Sequence, residues 1–194
     1  MKSIFGIISV LLGIIGYWIY INDIKNGKVK PHAYSWLIWA ILASIVFLGQ
    51  LIDNAGAGLW VTAMTVVGCI VITLYAFKCG DQERTNSDVL CLVSAFAAML
   101  LWILTDTPLW SMLLVTFIDF VGFIPTVRKT IARPEQETPG LFIFCGLKFL
   151  TSILATENMS VITLTYPISM IVQNFCFVAL LVVLHRENQL NTCR

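Results

Sequence analysis

Charge is what this sequence has least of. Asp, Glu, Lys and Arg make up 12% of its 194 residues, where water-soluble domains carry about 25%. With 58% hydrophobic residues and a mean hydropathy of +0.87, that deficit excludes a soluble globular domain. The few charges sit in short clusters between long apolar runs, so the chain reads as a polytopic helical membrane protein whose first partner is the lipid bilayer. Common catalytic signatures are missing too: there is no HExxH, no GxSxG and no Walker loop, and only one carboxylate lies deep in an apolar run where an aspartyl protease needs two. An enzyme is therefore not expected. Cys69, Cys79, Cys91, Cys145, Cys176 and Cys193 form no CxxC pair and have no His at ligand spacing. Most lie in apolar runs, where they read as small buried hydrophobes rather than metal ligands or disulfides. The net charge of +1 says little about partners; no nucleic-acid partner is expected, and nothing in the pattern asks for a cofactor.

Seven apolar runs are present, and each predicts a span. The first, about Ser3 to Ile24, is longer than the ~7–15-residue core of a signal peptide and lacks an A-x-A site, with Gly27 as its stop. The loop Lys28-Val29-Lys30-Pro31-His32 leads to the second, about Ala33 to Ile52. The third runs from Leu59 to Phe77, the fourth from Asp88 to Thr105, and the fifth starts at Asp106-Thr107-Pro108 and ends near Ala132. The sixth runs from Gly140 to about Thr156, and the seventh from Met159 to about Leu184 with Pro167 inside it. The organisation expected is a first three-helix unit over 1–78, a linker and fourth helix over 79–106, a second three-helix unit over 107–186 and a cytoplasmic tail over 187–194.

With the N-terminus outside, the inner side holds Lys25, Lys28, Lys30, Lys78, Arg84, Arg128, Lys129, Arg133, Arg186 and Arg194, against Lys2 outside. The positive-inside rule thus predicts an N-out, C-in protein, as in a bacterial inner (plasma) membrane. Spans one to three and five to seven share a layout of long helix, basic loop, second helix, short loop, third helix. An offset of about 106 sets Gly16-Tyr17 against Gly122-Phe123, and a slightly larger one sets Pro31 opposite Pro139. The fourth helix would then be an inverter between two parallel repeats, a 3+1+3 plan.

That plan, with Ile124-Pro125-Thr126-Val127-Arg128-Lys129-Thr130-Ile131 closing the fifth helix, resembles the PQ-loop superfamily, which includes the SWEET sugar transporters. The likeness lies in topology over nearly the whole chain. Pro125 matches the helix-bending proline of the repeat helix; Ile19 stands at its counterpart in the first repeat, and no Pro-Gln dipeptide occurs. The resemblance implies a small-molecule transporter, with Asn174 at the depth of a substrate-contacting Asn.

Two charges fall near the middle of apolar helices, Asp119 in the fifth and Lys148 in the sixth. Intramembrane charges are costly and rare, so each is expected to face the protein interior and to meet the other. The pair is either a substrate- or proton-coupled site, or a fixed ion pair holding the two helices together. Helical periodicity adds Ser111, Thr116, Gly122 and Thr126 beside Asp119, and Cys145, Thr151, Ser152 and Ala155 beside Lys148. It puts Tyr166, Ser169, Gln173 and Cys176 on the inward stripe of the seventh helix, with Asn174 alongside. In the first unit the expected stripes are Gly6, Ser9, Gly13, Gly16 and Tyr20; Trp36, Trp39, Ala40, Ala43, Phe47 and Gln50; and Thr62, Thr65, Cys69 and Thr73. Gly13 takes the place that Asp119 has in the second unit. Trp36, Trp60 and Trp110 read as interfacial anchors, Trp39 as a cavity residue, and His32 as a loop residue.

The function expected is a transporter or facilitator for a small polar or zwitterionic metabolite, with Asp119, Lys148, Gln173, Asn174 and Trp39 binding substrate. The competing class is a receptor or sorting protein of similar architecture that binds a ligand or protein partner without flux. A homo-oligomer is compatible with either.

Overall fold

Inside lipid a backbone amide or carbonyl has no water to bond, so each apolar run closes its hydrogen bonds within itself. The computed structural model describes residues 1–81, 86–105 and 108–192. Arg84, Asp106, Thr107, Cys193 and Arg194 lie outside them, as do the side chains of Cys91, Ser111 and Pro125. The described chain forms seven α-helices and no strand: α1 (Lys2–Lys25), α2 (Ala33–Ile52), α3 (Trp60–Cys79), α4 (Asn86–Thr105), α5 (Pro108–Ala132), α6 (Pro139–Ala155) and α7 (Val161–Thr192). Short 3-10 turns, Gly56–Leu59 and Pro134–Gln136, lead into α3 and α6. Among the described residues four segments are long and apolar enough to cross a membrane, Lys2–Lys25, Ala33–Ile52, Gly56–Cys79 and Val161–Glu187, while Pro139–Ala155 is apolar but shorter. The chain is an all-helical integral membrane protein.

Local chemistry sets the helix ends. Gly27 adopts φ +69° just past α1, the left-handed conformation that ends a helix and that glycine alone adopts without strain. Pro139 opens α6 at a first-turn position, where its missing N–H would find no partner anyway. His32 is more than a loop residue: its Nδ1 accepts the Ser35 backbone N–H at 3.3 Å and caps α2. At the far end, α7 runs on to Thr192 rather than stopping near Leu184. The segment His185-Arg186-Glu187-Asn188-Gln189-Leu190 holds no Gly or Pro, so nothing there interrupts the helix.

Packing follows a regular order. Helix α3 packs along both α1 and α2, which meet through side chains such as Tyr20 on Trp36; α7 likewise packs along both α5 and α6, which meet through Phe123 and Phe142. Across these groups α1 packs along α6, its most extensive partner, and α2 along α5, while α4 rests on α5 and α2. Helix α1 turns a small-residue stripe, Gly6, Ser9, Gly13 and Gly16, toward the interior, where Gly13 and Gly16 let α6 approach closely and Gly6 faces Ala57 and Trp60. A Cβ added at Gly16 would lie 2.7 Å from Phe144 Cβ, whereas at Gly122 the nearest atom is Ile38 Cγ2 at 3.8 Å. Gly16→Ala is therefore expected to lower stability by about 1–3 kcal/mol. Gly122→Ala is expected to raise it by about 0.5–1 kcal/mol through lost backbone entropy. Unfolding midpoints in detergent check both; shifts of the same sign at the two glycines would contradict the close approach at Gly16.

Candidate functional site

A cavity lies among α1, α2, α3, α5, α6 and α7, near mid-helix. It offers about 40 Å³ of space for the centres of water molecules, room for more than one, since a single water needs at least ~10–15 Å³. Asp119, Lys148, Gln173, Asn174 and Trp39, which come from four helices, all line it. Much of the remaining wall is aromatic: Tyr17, Trp36, Phe123, Phe142, Phe149 and Tyr166. Trp39 stacks edge-on with Trp36 (ring centroids 5.1 Å) and packs on Phe123 at 5.6 Å. Phe123, Phe142 and Phe177 form a compact trio with centroids 4.4–6.1 Å apart.

The two deep charges do not pair. No contact within 4.0 Å joins Asp119 to Lys148, which corrects the expected ion pair. The reason is that Lys148 has already been claimed by the first three helices. Its Nζ donates to Thr65 Oγ1 at 2.9 Å and to Tyr17 OH at 3.4 Å. It also sits 4.6 Å from the Tyr17 ring centroid and 5.0 Å from that of Phe149, so hydroxyls and ring faces take the place of a counter-ion. Gly13 makes room for this arrangement: a Cβ there would come within 3.1 Å of Lys148 Cδ. Lys148 is fully buried and Asp119 is 1% exposed, yet neither carboxylate oxygen of Asp119 has a hydrogen-bond partner. The Gln173 amide lies close by, but no hydrogen bond closes and both of its polar atoms are also unpartnered. Asn174, by contrast, turns its amide onto its own helix and donates to the Met170 carbonyl at 2.7 Å.

Hydrogen bonds between the first and last three helices lie beyond the cavity toward both ends of the bundle. At the end carrying the basic loops, Glu137 is 3% exposed and accepts from Tyr20 OH at 3.3 Å and from Lys129 Nζ at 3.0 Å. Lys129 also donates to the Lys30 carbonyl, and Thr138 Oγ1 donates to Asp23 Oδ2 at 2.9 Å. Burial pushes the Glu137 carboxyl above its ordinary range, against the opposing pull of Lys129 and Tyr20. At the opposite end Asn158 Nδ2 donates to the Asp53 carbonyl at 3.0 Å, Ser160 Oγ donates to Asp53 Oδ2, and the Glu157 N–H donates to the Ala55 carbonyl at 3.1 Å. Just inside, Gln50 accepts from Thr62 Oγ1 at 2.7 Å and donates to the Thr163 carbonyl at 3.4 Å.

Several of these residues were not visible from the sequence. Trp36, expected on the inward stripe of α2 and also as an interfacial anchor, is a buried cavity residue, while Trp60 and Trp110 are exposed on the helix surface. The stripe expected on α7 is also corrected: Cys176 is exposed, and the buried face runs through Thr163, Tyr166, Gln173, Asn174 and Phe177. Cys79 is exposed as well, whereas Cys69 and Cys145 are buried. Glu137 stood in a charged loop with no hydrophobic period to mark it as buried. Among the described residues no cluster of three His, Cys, Asp or Glu side chains gathers. No protein-family model, curated protein or solved structure matches this chain.

Proposed function

We propose that the protein is a small-molecule transporter or facilitator of seven spans, built as two parallel three-helix units around α4, whose central site takes a small polar or zwitterionic metabolite. The observation that carries this reading is the cavity at mid-helix, with buried, unpartnered Asp119 and Gln173 in its wall. Unsatisfied polar groups at that depth are costly and mark pathways. The order α1–α3–α2 in one unit and α5–α7–α6 in the other supports the duplicated plan. At 17 residues, α6 meets the lower limit for a span, ~17–25 residues.

Cross-unit hydrogen bonds toward both ends of the bundle suit a site reached from one side at a time as the units rock against each other. The basic loops lie at one end, which supports a cytoplasmic C-terminus in a bacterial plasma membrane. Reconstituted proteoliposomes are expected to take up at least one solute of a labelled panel of amines, amino acids and sugars. Uptake should be saturable and lost in Asp119→Asn. Saturable binding with no flux for any solute would favour the receptor reading and overturn transport.

A further inference from the structure

We propose that the cavity's ligand presents a primary ammonium group to Asp119 and Gln173, so that the substrate class is a small primary amine. This rests on the transport reading and narrows it. Four side-chain atoms in the cavity wall are buried without a hydrogen-bond partner: Asp119 Oδ1 and Oδ2, and Gln173 Oε1 and Nε2. Buried polar atoms are nearly always satisfied, and in a lipid-embedded bundle the penalty for leaving them bare is several kcal/mol, so this cluster marks where a ligand's polar head belongs.

Three of the four atoms are acceptors, and an –NH₃⁺ group supplies three donors. A hydroxyl supplies one, and a quaternary ammonium none. Charge-assisted bonds to a carboxylate are also roughly twice as strong as neutral ones. An anionic head is disfavoured, because it would meet the Asp119 carboxylate. The one cationic side chain in the wall, Lys148, is already held by Thr65, Tyr17 and two ring faces, so no free clamp remains for a ligand carboxylate. Rings of Trp36, Trp39 and Phe123 complete the wall, and their faces favour a cation over a neutral solute. The cavity volume of about 40 Å³ for water centres limits the body behind the ammonium to a few heavy atoms.

The test uses the full-length protein in lipid nanodiscs with radiolabelled ethylammonium in a scintillation proximity assay. Saturable binding is expected, displaced by propylammonium, about tenfold less well by tetramethylammonium, and not by propionate. Asp119→Asn should weaken binding by about 100-fold and Gln173→Leu by about tenfold, each compared after its elution profile and melting point match the parent's. Gln173→Leu keeps the carboxylate and carries the test if Asp119→Asn does not fold. Unchanged affinity in the folded variants, displacement by propionate, or equal displacement by tetramethylammonium overturns the inference. If ethylammonium does not bind while proteoliposomes take up a sugar or amino acid, the ammonium site falls and transport stands. If it binds through Asp119 while no solute crosses, transport falls and the site stands.

Discussion

Asp119→Asn and Lys148→Met, made one at a time, are each expected to raise the unfolding midpoint in detergent, by the equivalent of roughly 1–3 kcal/mol. Each removes a group taken out of water with no ion partner, since no contact within 4.0 Å joins them. Little is orphaned by the lysine change: Thr65 Oγ1 keeps its bond to the Val61 carbonyl at 2.7 Å, and Tyr17 OH stays 3.7 Å from Cys69 Sγ. Were the two charges a structural pair, breaking it from either side would instead destabilise by about 3–5 kcal/mol, so the sign of the shift separates the two arrangements. The double variant should be near-additive, within about 0.5 kcal/mol. Asp119→Asn is at the same time expected to lower uptake by about 100-fold. A variant more stable and inactive is the signature of a side chain kept for its work at a cost to the fold.

Glu137→Ala is expected to open the cavity at the end with the basic loops. The measurement is modification of buried Cys145 by a membrane-impermeant maleimide, in a background whose other cysteines are replaced by serine. Removing Glu137 deletes the bonds from Lys129 and Tyr20; charged hydrogen bonds contribute about 1.5–3 kcal/mol each, so about tenfold faster labelling is expected. Acidity should act in the opposite direction. Burial raises the Glu137 carboxyl above its ordinary value, which means the closed form holds its proton more tightly than an open, hydrated one. The advantage of closing is present at low pH and declines as pH rises through the raised value. Moving from about pH 7 to about pH 5 should therefore slow labelling relative to Glu137→Ala at the same pH. A constant ratio between the two proteins would remove Glu137 from the closure.

The helices were legible because lipid leaves an apolar run few alternatives: the predicted limits of α2 coincide with those observed, and the rest differ by a few residues except at the end of α7. The five residues expected at the site all reach one cavity. What periodicity could not supply was neighbours. It shows that Asp119 and Lys148 face inward but not that Thr65 and Tyr17, from distant parts of the chain, reach Lys148 first. Favouring polar residues also misjudged the walls. Phe177 carries no polar mark, yet it packs inside, while Cys176 points outward. Gly16 and Gly122, alike at an offset of about 106, differ because one backs tightly onto Phe144 and the other leaves room for a methyl group against Ile38.

The alliance of α1 with α6 also governs how the molecule is made. Translation must add the 130 residues between Lys25 and Ala155 before the first helix meets its main partner. At about 5–20 residues per second that takes roughly 7–26 s. Through that interval the face of α1 at Gly16, which backs onto Phe144 of α6, meets membrane lipid or the insertion machinery, so a nascent chain cut short before Pro139 is an unfinished product that quality-control proteases should recognise.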